Sequence, residues 1–224
     1  QQRYPAIDVE LVASIDEAYR ALRSGRADYY VDNAAHAGYF LRQTMTSDLE
    51  IRGELPNEEV GQLSMHFGIH RDQPMLAALV NKALDAIGRD GIQALRGKWL
   101  APLLSRAPDG PSPLALTPEQ QRWLKQHPRI AIGVNDSWPP FGFIGSDEDL
   151  EGIGKDLIDA LNKRLDGVLV PHPGAWPDLY DAVAARELPA LLDLTPRPSR
   201  LNSFAFTTPY LKIPHVFVAR KDEG

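Results

Sequence analysis

The 224 residues can bury one generous hydrophobic core or two modest ones, and 43% hydrophobic against 24% charged residues excludes a disordered chain. A formal net charge of -6 with scattered Lys and Arg leaves no basic footprint, so nucleic acid is not an expected partner. Without cysteine there is no disulfide or thiolate chemistry, and no apolar run approaches the ~20 residues of a spanning helix. No basic-then-apolar leader follows Gln1, so the sequence reads as a processed product or an excised piece, with any membrane anchor outside it.

Tyr4 to Ala13 has a short extended pattern. Ser14-Ile-Asp-Glu17 is a capping box opening a helix whose Ile15, Ala18, Tyr19 and Leu22 share a face, and Gly25 closes it. Ala27 to Val31 is a strand ending at Asp32-Asn33, and a helix follows from Ala34 through Leu41. Residues 42 to 60 read as polar and irregular. Leu63 to Ile69 alternates as a strand, and Pro74 sits in the first turn of a helix with a broad apolar face from Met75 to Ile87. Gly88 and Gly91 interrupt it, and a short helix carrying Ile92, Leu95 and Trp99 follows.

Ala101 to Leu116 is rich in proline, glycine and serine, as a linker is. Thr117-Pro-Glu-Gln120 is a second capping box, starting a helix that His127-Pro128 ends. The stretch Arg129 to Phe143 then combines a buried strand (Ile130, Ile132, Val134) with a turn at Asn135-Asp136 and Pro139-Pro140. Ligands of open α/β sheets collect at the carboxyl ends of strands, which puts Asp136, Trp138 and Phe141 where a small molecule would be held. The plainer alternative is a strand, a turn and core aromatics. Beyond it come a helix from Gly152 to Leu165, a strand at Val168 to Val170, a helix from Pro177 to Ala185 and a strand at Ala190 to Leu192. Tyr19 to Asp32 overlays Tyr180 to Asp193 without a gap, matching Tyr, Ala and Asp, which modestly supports duplication.

Three motifs carry a resemblance: Ile132-Gly-Val-Asn-Asp-Ser-Trp-Pro-Pro-Phe141, Gly152-Ile-Gly-Lys-Asp-Leu157, and Arg200 six residues before Phe206-Thr-Thr-Pro-Tyr210. In this order and spacing they resemble the first lobe of the family 3 solute-binding proteins, the polar amino acid binders. The fold so implied is α/β, of the periplasmic binding protein-like (Venus flytrap) class, type II. Residues 4 to 100 resemble the same family's other end: Gly25 to Asp32 is similar to its second-lobe strand, and Gly91 to Trp99 to its closing helix.

That order implies the junction of two flytraps in tandem. Residues 1–105 would be the C-terminal part of a first flytrap, 106–128 a proline-rich linker and short helix, and 129–224 the N-terminal lobe of a second, with Pro214 to Arg220 as its crossover strand. A circularly permuted single flytrap is the other order. Tandem flytraps with such a linker resemble the extracytoplasmic sensors of BvgS-like hybrid histidine kinases. The resemblance therefore implies a periplasmic, solute-sensing segment of an inner-membrane signalling protein. The alternatives are an amino acid-binding component of an ABC transporter, or a flytrap module of a membrane-bound lytic transglycosylase or a diguanylate cyclase.

In such binders an arginine at the Arg200 position grips the ligand carboxylate, because a guanidinium offers a planar fork of donors and stays charged. The resemblance places Thr195 beside that carboxylate, makes Trp138 and Phe141 an apolar wall, and lets Asp136 or Asp32 receive an ammonium. Each has a plainer reading: Arg200 as a surface ion pair, Asp32 as a helix N-cap, Asp156 as a cap or brace of its own helix. Asp193 and Arg197 depart from the family pattern, and a negative charge at Asp193 would oppose a ligand carboxylate. No metal-spaced histidines, phosphate loop or nucleophile elbow is present. The expectation is no cofactor, no metal, an amino acid-like solute as ligand, compatibility with a homodimer, and no catalysis by this chain, with kinase activity left to the full-length protein.

Overall fold

The computed structural model describes residues 7–44, 48–55, 63–100 and 114–221. The chain falls into two compact units, one made of residues 1–62 with 214–224 and the other of residues 63–213.

In the smaller unit, helix α1 (Ile15–Arg23) starts at Ser14, whose hydroxyl accepts from the Glu17 N–H at 3.2 Å. The return bond of the box is displaced by one residue, since the Glu17 carboxylate accepts from Ala13 N at 3.0 Å. Strand β1 (Tyr30–Asn33) leads directly into α2 (Ala34–Gln43). Residues 4–6 of the expected extended segment lie outside the described residues, and 7–12 form no regular element.

The stretch expected to be irregular contains strand β2 (Leu49–Glu54). Charged Glu50, Arg52 and Glu54 alternate there with only Leu49 and Ile51 as large apolar residues, a weak period-two signal. Partnership supplies what propensity lacks. A strand from the far end of the sequence, His215–Arg220, lies between β1 and β2 and pairs antiparallel with both. Its Val216, Val218 and Ala219 are buried.

The larger unit begins with β3 (Leu63–His70) and α3 (Pro74–Leu100), a helix broken at Gly88, where φ is 69°. This is the interruption expected from the glycine, which alone takes that conformation without a Cβ penalty. Helix α4 (Pro118–Gln126) shows both capping-box bonds, Gln120 N to Thr117 Oγ1 at 3.2 Å and Thr117 N to Gln120 Oε1 at 3.1 Å. There follow β4 (Ile130–Asn135), a meander of β5 (Ser137–Trp138), β6 (Gly142–Ile144) and β7 (Leu150–Glu151), then α5 (Ile153–Asn162), β8 (Leu169–Gly174), α6 (Trp176–Ala184) and β9 (Ala190–Leu194). A 3-10 turn (Pro198–Arg200), β10 (Phe204–Phe206) and β11 (Leu211–Ile213) complete the unit, and β12 is the strand His215–Arg220 already placed in the smaller one.

The main sheet has the order β10-β3-β9-β4-β8, with β11 also on β3. β4 is parallel to β8 and β9, whereas β3 runs antiparallel to β9 and β10. Counted from β4 the order is second, first, third, a strand from elsewhere in the chain, then fourth. This is the α/β arrangement of a type II periplasmic binding protein lobe. Helix α6 buries Leu179 and Val183 against Leu188, Leu191, Leu194 and Phe204. By area, such fully buried aliphatic side chains stabilise by roughly 1.5–3 kcal/mol each.

The units divide at 62/63 and 213/214, while the linker expected at 106–128 lies within the span of the larger unit. Of that linker, residues 106–113 lie outside the described residues.

Candidate functional site

Three parallel strands, β8, β4 and β9, end on one edge of the sheet, and the segments leaving those three ends define the site. After β4, Asp136 is fixed through its backbone: its N–H donates to the Gly174 carbonyl at 3.2 Å and its own carbonyl accepts from Ile144 N at 3.1 Å. After β8, helix α6 opens with Trp176 and Tyr180, four residues apart and stacked with ring centroids 5.2 Å apart. After β9 come Thr195 and the turn that ends in Arg200.

Arg200 and Thr195 are brought together, but through the Thr195 backbone. Arg200 Nη1 donates to the Thr195 carbonyl at 2.9 Å, and the Thr195 hydroxyl donates to the Ser64 carbonyl at 3.1 Å. The guanidinium lies over the faces of Trp176 and Tyr180, at 5.3 and 5.7 Å from their centroids. Partial burial, followed by repulsion from Arg197, pushes the Arg200 pKa below its ordinary value, opposed by Tyr180. A guanidinium with that ordinary value still carries its charge. A guanidinium over aromatic faces is attracted by their π electrons, and its five N–H donors leave capacity to hydrogen-bond a carboxylate. The aromatic pair beneath it was missed from sequence, although two aromatics at i and i+4 on a helix were a usable signal.

Trp138 and Phe141 are also together, with centroids 4.3 Å apart, but they differ in access. Phe141 is 0% exposed and belongs to the core, whereas Trp138 is half-buried. The carbonyls of Pro140 and Phe141 accept from Ile153 N and Gly154 N, both at 2.8 Å, so the rim loop caps helix α5. Gly152, at φ 121°, precedes that helix where an added Cβ would lie 2.5 Å from the Phe141 carbonyl oxygen. Asp156 does not brace its own helix. Its Oδ2 accepts from Trp99 Nε1 at 2.6 Å and from Lys98 Nζ at 2.7 Å, joining α5 to the end of α3.

Asp193 resolves the departure from the family pattern. It is wholly buried at φ 59°, its Oδ1 accepts from the Tyr210 hydroxyl at 2.6 Å, and its own N–H donates to the Tyr210 oxygen at 3.1 Å. Desolvation pushes its pKa up to about 6, with the Tyr210 bond working against the rise. The same burial, with Asp193 beside it, raises the Tyr210 phenol well above its ordinary value. The carboxyl is thus a core group held by the tyrosine of the Phe206 to Tyr210 motif.

Asp32 belongs to the smaller unit. Its Oδ2 lies 2.9 Å from His36 Nδ1, and both side chains are about 10% exposed. The helix cap is Asn33, whose Oδ1 accepts from His36 N at 2.8 Å, so the N-cap reading of Asp32 is off by one residue. Among the described residues no group of three or more His, Asp or Glu is placed to hold a metal ion. Among them, too, no helix is long and apolar enough to cross a membrane.

Residues 130–224 match the model of the bacterial extracellular solute-binding proteins, family 3. The chain is 25% identical over 225 residues to the virulence sensor protein BvgS of Bordetella bronchiseptica, an alignment covering 99% of this chain and 18% of that protein. It is 19% identical over 237 residues to the sensor protein EvgS of Escherichia coli O157:H7, covering 98% of this chain and 18% of that one. It is also 32% identical over 97 residues to the ABC transporter arginine-binding protein 1 of Escherichia coli K12, covering 42% of this chain and 39% of the relative. The chain thus spans about a fifth of the length of the sensor proteins it matches.

Proposed function

We propose that the chain, whose residues 130–224 match the model of the bacterial extracellular solute-binding proteins, family 3, is the solute-sensing segment of a two-component sensor histidine kinase. It would lie in the periplasm as part of an inner-membrane protein, with the kinase activity and the membrane anchor in the rest of that protein. The observation that carries this reading is the alignment to two sensor proteins along 98–99% of the chain, in one order through the proline-rich stretch. The transporter relative corresponds to 42% of the chain, and so supports a solute-binding lobe more than a transport component.

The solute we propose is an amino acid. Its carboxylate would meet Arg200, which lies over the rings of Trp176 and Tyr180, with the half-buried Trp138 as a proposed apolar wall. Binding would shift a flytrap towards closure by the difference in affinity between open and closed forms. Asp136 and Asp32 are the proposed ammonium acceptors, Asp32 only in competition with His36. Phe141 would act from beneath, by fixing Trp138.

The continuous alignment also supports the tandem junction, with 1–105 from a first flytrap and 129–224 from a second. In this structure β12 nevertheless pairs with β1, as the permuted order would have it. Val31 and Phe217 are Cα partners across that pair, so a cysteine at each would report the pairing. A disulfide between Val31→Cys and Phe217→Cys in the full-length protein would contradict the tandem order, and its absence there would agree with it.

The functional test is the thermal stability of the complete extracytoplasmic region against a panel of L-amino acids, arginine included. At least one should raise Tm in the wild type and leave Arg200→Ala unmoved. An equal rise in both would remove Arg200 from the site, and no rise with any amino acid would reject this ligand class.

A further inference from the structure

An open surface pocket of about 310 Å³ lies on the larger unit, lined by His70, Arg71, Asp72, Arg186, Asn202 and Ser203. It lies at the amino end of β9, where Ile69 pairs with Ala190 and His70 N donates to the Pro189 carbonyl at 3.0 Å. Thr195 follows the other end of that five-residue strand, roughly 16 Å away at strand rise. The lining of the pocket includes neither Arg200 nor Thr195, although it reaches Ser203, whose N–H donates to the Arg200 carbonyl at 3.2 Å.

Its polar lining is dominated by donors. Arg71 Nη2 donates to the Leu201 carbonyl, and Arg186 Nη2 lies 2.7 Å from Asp72 Oδ2. A guanidinium has five N–H donors, so each retains capacity beyond these partners. His70 is buried, and its Nδ1 accepts from Asp72 N at 3.2 Å, which in the neutral ring places the proton on Nε2 as a further donor. Two fixed positive charges face one carboxylate, in a chain whose net charge is -6. The carboxyl end of α6 opposes an anion here, but the Val183 and Ala182 carbonyls are already taken by the N–H groups of Arg186, Glu187 and Leu188.

The backbone supplies an independent observation. Arg186 sits at φ 70°, a conformation disfavoured for a side chain of its size. At the matching position of the internal repeat, Gly25 takes φ 71° with the same turn bonds. The Arg186–Asp72 pair is 68% and 56% exposed, and such pairs add little stability. The turn itself therefore does not require an arginine, since the glycine of the first copy makes the same bonds.

We propose that this pocket binds a small oxyanion, a carboxylate or a phosphate, through forked hydrogen bonds from Arg71 and Arg186, with Asp72 orienting Arg186. The test uses the 224-residue chain at pH 7.5, titrated with sodium phosphate or sodium succinate against sodium chloride at matched ionic strength. Binding is read from Tm and from the ring resonances of His70. Wild type should show a saturable Tm rise and a saturable His70 shift with at least one of the two anions, and the anion that acts identifies the source. Arg186→Gly should keep or raise the Tm in chloride while binding at least tenfold more weakly, and Arg71→Gln should weaken binding similarly. The general stabilisation that phosphate gives any folded protein is common to wild type and variants. A His70 resonance indifferent to both anions in the wild type, or equal shifts in wild type and Arg186→Gly, would overturn the proposal.

Discussion

The segments Tyr19 to Asp32 and Tyr180 to Asp193 share one helix and turn and put them to different uses, parting at the last residue, where Asp193 but not Asp32 takes a positive φ. In the first, Gly25 N bonds Leu22 O while Arg26 and Ala27 N bond Ala21 O; in the second, Arg186 N bonds Val183 O while Glu187 and Leu188 N bond Ala182 O. The left-handed residue is the same, at φ 71° and 70°. Tyr19 is 2% exposed, stacked on Phe40 at 4.1 Å, whereas Tyr180 is half-buried and carries Arg200 on its face. The closing aspartates differ as well: Asp32 reaches His36 within its own unit's helix, and Asp193 reaches Tyr210 in the core. The helix, turn and strand set the path of the chain, and the residues that occupy it decide whether a given place is core, brace or candidate site.

The largest test of that contrast is the tyrosine pair. Tyr19→Ala should cost about 3–5 kcal/mol in urea unfolding, as removal of a fully buried aromatic does. Tyr180→Ala should cost about 1 kcal/mol, the order of an aromatic contact, and should release Arg200. Equal losses would mean that the two positions are equivalent after all. Tyr19→Phe sharpens the point. The Tyr19 hydroxyl is buried without a hydrogen-bond partner, so its removal should be neutral or stabilising.

Next are the aspartates. Asp193 holds its proton more tightly folded, at about 6, than unfolded, near 3.8. The stability this group contributes is therefore complete below about pH 4 and lost as pH rises through 6. Two pH units correspond to about 3 kcal/mol. Asp193→Asn, which cannot ionise, should flatten the stability profile between pH 4 and 6, measured by urea unfolding across that window. An unchanged profile would contradict the burial of a charge there.

Asp32→Ala should cost about 1.5–3 kcal/mol at pH 7, the range for a hydrogen bond to a charged group, and Asn33→Ala about 1 kcal/mol through loss of the cap. If Asp32→Ala behaved like a simple cap deletion, the link to His36 would be negligible. A small effect is also expected at the turn. An added Cβ at Gly25 meets nothing within 4 Å, so Gly25→Arg should cost only the left-handed conformational penalty, about 1–2 kcal/mol, visible as a small fall in Tm.

Much of the fold was legible because local signals and packing agree in it. The Thr117 capping box, the Gly88 break and the Ile130 to Val134 strand each combine a terminator or cap with a matching apolar pattern. β2 was not legible, because its two large apolar residues make a strand only when β12 supplies the partner. Nor could a pairing between residues near 30 and near 217 be read from local pattern, since nothing near either marks the other. At the candidate site, Arg200 with Thr195 was legible through motif spacing. The Trp176 and Tyr180 support was not, because aromatic residues on a helix read equally well as core. Asp193 misled for a related reason: its charge could be counted from sequence, but its burial against Tyr210 could not.

The capping of α5 by the Pro140 and Phe141 carbonyls has a mechanical consequence. The rim loop and the helix are fastened at one end by two short bonds, and in that same first turn Asp156 is fastened to Trp99 and Lys98. The rim loop that carries Trp138 and the last turn of α3, which ends at Leu100, are therefore tied to one and the same helical turn, so a displacement of either is felt by the other through a single turn of backbone.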